Sequence, residues 1–202
     1  MENAPETFPE AYPAQLGFTG PLQVERWRVV GNPILAIPHL FIASALQGIL
    51  DTLACVAFIM ILFTGNIPRG LFNFMAMIFR YSWRVFSYAL FMRENYPAFE
   101  FVPSEADPSA DQATFSISYP QNLSRGLIFI KWLLVIPHLV VLAFVALAAA
   151  ISIIIAWFAV LFTGAWPQGL RDFVIGTIRW IARVSAYFYL MTDVYPPFST
   201  EP

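Results

Sequence analysis

The chain has 202 residues, 58% of them hydrophobic and 12% charged, with a formal net charge of -2 and a mean hydropathy of +0.64. A soluble domain carries roughly 25% charged residues, so this composition points to lipid as the solvent, and the charge balance argues against a nucleic-acid-binding surface. The single cysteine, Cys55, excludes an intramolecular disulfide and a cysteine-built metal site.

The chain opens with a polar segment, residues 1–25, acidic and rich in proline over Met1 to Gly20. It has no basic start followed by a short apolar core, so it does not read as a cleavable signal peptide, and insertion is expected to use the first membrane helix. Arg26 to Ile37 mixes cations and Trp27 with apolar residues and stops at Pro38-His39. A dozen residues cannot cross a bilayer, which predicts an interfacial helix. His39 to Thr64 follows, about 26 residues or roughly 39 Å as a helix, enough to cross with tilt. Thr64 to Gly70 has the pattern Thr-Gly-x-x-Pro-x-Gly and predicts a tight reversal, with glycine after one helix and proline starting the next. Pro68 to Met92 is apolar except for Arg80 and Arg84, and is read as a second span in preference to a helix lying in the interface. Tyr96-Pro97-Ala98-Phe99 closes the unit with what look like interfacial aromatic anchors.

Residues 100–124, rich in proline, serine and acids, read as a linker that is disordered in isolation. Beyond it the chain repeats itself with an offset of 99 positions and no gap. Pro38-His39-Leu40 returns as Pro137-His138-Leu139, Leu62-Phe63-Thr64-Gly65 as Leu161-Phe162-Thr163-Gly164, and the arginines as Arg179 and Arg183. The uncharged run from Trp132 to Phe162 is too long for one straight crossing and too short for two, so a break is expected at Pro137. The organisation is therefore a membrane repeat over 26–99, a linker over 100–124, a second repeat over 125–198 and a tail over 199–202. The fold class follows as all-α integral membrane: two tandem parallel repeats, each an interfacial helix plus a two-helix transmembrane hairpin, giving four spans about a pseudo-twofold along the membrane normal. All three polar segments then share one side. Arg26, Arg28, Arg93, Arg125 and Lys131 would flank that side, against Arg69 and Arg171 on the other, which places the termini in the cytoplasm.

The Arg pairs are the leading candidates for chemistry. Arg80/Arg84 and Arg179/Arg183 stand at i,i+4 on one helix face, and a charge at bilayer depth costs roughly 2.5–3.5 kcal/mol unless it meets protein, water or a head group. Asp51, midway along the first span, is expected to pair with Arg80 or Arg84; repeat 2 has Ala150 there, leaving Arg179 and Arg183 without that acid. The pairs read either as an inter-helix clamp, with Tyr88 and Tyr187 hydrogen-bonding or stacking on the second arginine, or as a site for an anion or lipid phosphate. His39 and His138, the only histidines, occupy matched positions. They read as capping or head-group residues, with axial ligation of haem or chlorophyll as the alternative. No acid–base dyad, Ser-His-Asp set or glycine-rich phosphate loop is visible, so no enzymatic activity is expected.

Ile-Pro-His-Leu, then Leu-Phe-Thr-Gly-x-x-Pro-x-Gly-Leu, Arg-x-x-x-Arg-Val and Tyr-Pro-x-Phe, in that order in both halves, resemble the prokaryotic domain-of-unknown-function family 4389. Repeat 2 matches more closely; repeat 1 has Gly31-Asn32-Pro33 where repeat 2 has Ile130-Lys131-Trp132. The resemblance implies an integral protein of the prokaryotic cytoplasmic membrane and carries no activity with it. The favoured function is a non-catalytic accessory subunit packed against a larger membrane complex, helped by a small-residue seam at Ala148, Ser152 and Ala156. Binding of anionic lipid by the Arg pairs is the alternative, and support of haem or chlorophyll by His39 and His138 a further one. The expected partners are membrane lipids and other membrane subunits, with no nucleic acid.

Overall fold

The computed structural model describes residues 12–109 and 111–201; the expectation for the acidic start of the chain concerns, up to residue 11, positions outside them. The elements run β1 (Ala14–Phe18), α1 (Arg28–Leu35), α2 (Ile37–Thr64), α3 (Arg69–Ala89), β2 (Ala113–Ile117), a 3-10 turn (Leu127–Phe129), α4 (Lys131–Thr163) and α5 (Gln168–Phe188). The molecule is mostly helical. Two helices, α2 and α4, are long and apolar enough to cross a membrane; α3 and α5 do not meet that description.

Both hairpin turns form as their residues dictate. Gly65 (φ 73°) and Gly164 (φ 74°) sit in the left-handed region that a side chain disfavours. Their N–H groups close the last helical turns onto Ile61 O and Val160 O, each at 2.8 Å. Thr64 Oγ1 donates to Met60 O at 2.7 Å and accepts from the Asn66 N–H at 3.2 Å, and Thr163 repeats this with Ala159 and Ala165. Pro68 and Pro167 then take extended conformations and start α3 and α5.

Three expectations are corrected. The short interfacial helix exists only in repeat 1: in repeat 2, α4 starts at Lys131 and runs unbroken through Pro137. Proline removes one hydrogen bond, which a 33-residue helix survives near its first turns. The all-α expectation omits a two-stranded antiparallel sheet of β1 and β2. Its second strand comes from the linker, where Ala113, Phe115 and Ile117 are buried in strict alternation.

The third correction concerns how the repeats are arranged. β1 and β2 are themselves repeat equivalents, and Leu16 pairs directly with its equivalent Phe115. Opposed residues of an antiparallel pair share one face, so the pseudo-twofold passes through that pair, normal to the sheet. About this axis the two leading arms are exchanged: the Val24 N–H bonds Gly164 O in repeat 2, and its equivalent, the Leu123 N–H, bonds Gly65 O in repeat 1, both at 2.9 Å. Phe129, just before α4, meets Phe58 in the second half of α2, while the Trp157 indole near the end of α4 donates to Val29 O in α1. The long apolar helices α2 and α4 thus run antiparallel, not parallel. The arms also travel from one end of the hairpins to the other. Arg125 comes beside Gly65 and Arg26 beside Gly164, so these cations stand at the turns, and the charge count behind the cytoplasmic termini loses its premise.

Stacked along the axis are three layers. The sheet packs on α3 through β2 and on α5 through β1; α2 packs on α3 and α4 on α5, and no comparable contact joins α2 or α4 to the sheet. The outer layer is apolar and uncovered: Phe41 and Phe63 are each 74% exposed, Phe144 72% and Phe162 70%.

Candidate functional site

The Arg pairs lie on the faces of α3 and α5 turned away from α2 and α4. Arg80 and Arg84 are almost completely buried, their side chains 3% and 2% exposed. The linker covers them. Arg80 Nε donates to Phe115 O at 3.2 Å, and its terminal nitrogens donate to the carbonyls of Val102, Ser104 and Ala106. Arg84 forks between Glu100 at 2.7 Å and Asp107 at 2.6 Å and also bonds Ser109. Arg93 adds a two-pronged pair with Asp111. A buried guanidinium is tolerable when carboxylates and carbonyls meet its donors, and this segment supplies both. Three acids in a polar linker, Glu100, Asp107 and Asp111, were not singled out from the sequence; the strand that follows them, alternating Ala-Thr-Phe-Ser-Ile, was the available sign that the segment is anchored.

Repeat 2 holds its arginines more loosely. Arg179 Nε donates to Leu16 O at 3.1 Å and its Nη1 to Thr200 O at 3.2 Å; Arg183 donates to Glu201 O at 2.8 Å. Among the described residues no carboxylate pairs with either. Tyr12, the repeat equivalent of Asp111, lies under Arg183 with its ring centre 5.9 Å away, and Arg183 Nε is buried without a partner. Burial holds both guanidinium pKa values below the ordinary range, as it raises that of the Tyr12 phenol, which donates to Val194 O at 3.0 Å. A cavity of about 460 Å³ opens beside the pair, lined also by Gln15, Thr114 and Ser116. Gly176 lets the tail close over this region: a Cβ there would stand 2.7 Å from Thr200 O.

Asp51 does not pair with Arg80 or Arg84. It lies on the exposed side of α2, whereas His39, Ala43, Leu50, Ala57 and Ile61 are turned inward. Its Oδ1 accepts the Tyr189 hydroxyl at 2.7 Å, and Gln47 Nε2 donates to that hydroxyl at 2.6 Å. Tyr88 and Tyr187 do not stack on the second arginines either. Tyr88 packs edge-on against Tyr96, and Tyr187 lies under the ammonium of Lys131, itself paired with Asp193 at 2.7 Å.

His39 and His138 are fully buried, which removes the head-group role. His39 stacks on Phe99 at 4.1 Å with Tyr96 edge-on, and its Nδ1 is 2.7 Å from the Tyr81 hydroxyl. His138 stacks on Phe198 at 3.8 Å, beside Tyr195. The Pro-His and Tyr-Pro-x-Phe signatures are therefore two halves of one packing unit in each repeat. His138 Nδ1 accepts the Trp180 indole N–H at 3.1 Å, which puts the ring proton on Nε2 and leaves no lone pair for an iron or magnesium. His138 does not fit an axial-ligand role, and without it the matched pair of ligands does not form. No cluster of three His, Cys, Asp or Glu suited to a metal ion occurs among the described residues.

A family model described as a domain of unknown function, DUF4389, matches residues 27–100 and again residues 125–200, once per repeat. No curated protein and no solved structure matches the chain.

Proposed function

This chain belongs to the DUF4389 family, and we propose that it is a non-catalytic accessory protein of a prokaryotic cytoplasmic membrane. The observation that carries this reading is the gradient of polarity along the pseudo-twofold. One pole is the sheet with its acidic linker; the other is the bare apolar face of α2 and α4. Such a gradient matches the step from water to hydrocarbon when the axis stands along the membrane normal. The antiparallel α2 and α4 then lie embedded from one side, with α3 and α5 above them, and the capping layer faces water, where a partner subunit docks. Four crossings would instead put the polar layer at hydrocarbon depth, where it would need a protein or water-filled neighbour.

The test places single cysteines at Ile37 and Thr64, the two ends of α2, in a Cys55→Ala background. In sealed vesicles an impermeant maleimide is expected to label both from the same side. Labelling from opposite sides overturns the embedded arrangement, and a chain released by alkaline carbonate overturns membrane residence altogether. Purification in mild detergent as a defined larger assembly supports the accessory role; a lone monomer counts against it.

A second reading is favoured by the cavity beside Arg179 and Arg183, where cations whose hydrogen-bond acceptors among the described residues are all carbonyls adjoin the hydroxyl-bearing β2. This site suits an anionic head group. Arg183→Ala is expected to lose bound anionic lipid in native mass spectrometry while Arg84→Ala, where the protein's own acids occupy the cation, keeps it. Equal retention in both variants removes the lipid reading.

A further inference from the structure

The pseudo-twofold creates two lateral grooves, and they have diverged. One, of about 600 Å³, lies between the middle of α2, the start of α4 and the end of α5, with Asp51, Cys55, Phe58, Trp132 and Tyr189 on its walls. Its mate, of about 350 Å³ and displaced towards the middle of α5, lies between the middle of α4, the end of α3 and the stretch of α5 from Val174 to Ile181. Two polar residues on the first groove's wall, Asp51 and Tyr189, are joined at its edge by Gln47, so that a trio drawn from both repeats meets there. Their equivalents are Ala146, Ala150 and Leu90, and all three line the mate. A polar trio whose members have all become apolar on the other side marks a difference in occupant rather than in packing.

The direction of the hydrogen bonds says what that occupant must bring. The Tyr189 hydroxyl spends its proton on Asp51 Oδ1, and Gln47 spends an amide proton on the Tyr189 oxygen. Asp51 Oδ2 and Gln47 Oε1 accept nothing from the described residues, so the trio presents acceptors and no spare hydroxyl donor. Among the described residues no cation answers Asp51: Lys131 lines the same groove but is buried, ion-paired to Asp193 and donating to Thr192 O at 2.8 Å. The remaining lining is apolar and opens along the exposed side of α2. A volume of this size is that of a small-molecule site, not of a long helix-binding channel.

We infer that this groove binds an amphiphile whose head is a protonated amine, the ammonium donating to Asp51 and Gln47 and the chain lying along Cys55, Phe58 and Trp132. The inference rests on the membrane reading only for the route of entry, through lipid.

Cys55, the only thiol, reports occupancy. The full chain in nanodiscs is modified with a membrane-permeant maleimide with and without dodecylamine. At a concentration near ten times its dissociation constant, dodecylamine is expected to slow modification about tenfold, while dodecanol and dodecanoate at equal mole fraction do not. Asp51→Asn, which keeps shape and fold, is expected to abolish the protection. A thiol placed at the repeat equivalent of Cys55, beside the mate groove, by Ile154→Cys in a Cys55→Ala background is expected to react at one rate throughout. Equal protection by dodecanol, unchanged protection in Asp51→Asn, or no protection by the amine each overturns the proposal. Protection by a lysine-bearing transmembrane peptide but not by dodecylamine overturns it in favour of a partner helix. In the ligand-free protein, equal reactivity of Cys55 towards impermeant and permeant reagents would place α2 in water; that removes the membrane reading while the amine comparison still decides the groove.

Discussion

Arg84 and Arg183 are repeat equivalents with opposite dependence on their surroundings. Arg84 is the hub of a buried network in which Glu100 and Asp107 are both within 2.7 Å. Truncating it strands those acids, so Arg84→Ala is expected to cost about 3–5 kcal/mol, read as a lowered midpoint of denaturant unfolding in detergent. Among the described residues Arg183→Ala strands no carboxylate, freeing the Glu201 carbonyl and the Tyr12 ring, and is expected to cost clearly less. Charge in the two Arg pairs was plain in the sequence, and so was the need for a partner. The choice of Asp51 failed because depth along a helix is legible while azimuth is not: Asp51 and Arg84 sit at comparable heights on antiparallel helices but face opposite ways. The acids that do the pairing lay in a segment whose composition resembles a solvated linker.

The hairpin turns were legible to the residue, because Thr-Gly-x-x-Pro-x-Gly combines a capping hydroxyl, a left-handed position and a helix start. Gly164→Ala keeps every contact and changes only the backbone preference at φ 74°. It is expected to lower stability by about 1–2 kcal/mol, measured by the same unfolding midpoint, with the dodecylamine response of Cys55 unchanged. The strands were not legible at the same level. Each has five residues, so that even the alternation of β2 is brief beside the long apolar runs, and only alanine (Ala14 and Ala113) is identical between them. Pro137 misled in the other direction, since an arithmetic of lengths suggested a break that the continuous α4 does not make. Phe91 and its equivalent Leu190 take left-handed conformations without being glycine, and nothing local predicts that. Phe91 is held there by stacking on Trp166, whose indole donates to the Phe91 carbonyl at 3.1 Å.

The duplication was legible in full, because an offset of 99 without a gap survives any local ambiguity. The relation between the copies was not. Hydrophobic runs carry no sign of direction, so parallel and antiparallel placements of α2 and α4 are equally compatible with the same residues. What distinguishes them is the exchange of arms, a set of carbonyl and amide contacts that leaves no mark in side-chain chemistry.

That exchange also sets a timetable for synthesis. The cover over Arg80 arrives from Phe115, 35 positions downstream, soon after α3 leaves the ribosome. The matching contact in the other half joins Leu16 to Arg179 across 163 positions, so the first arm made waits for the last helix made. Closing so long a loop is slow relative to local pairing. A nascent chain stalled before residue 164 is expected to show a protease-resistant linker over α3 with β1 already paired to β2, and a stretch from Gly20 to Val24 still open to cleavage; resistance of that stretch at that length would mean it finds another partner first. For much of its translation the protein carries an unlatched stretch from Gly20 to Val24, and whatever assists its biogenesis must shield that stretch until the final hairpin turn is delivered.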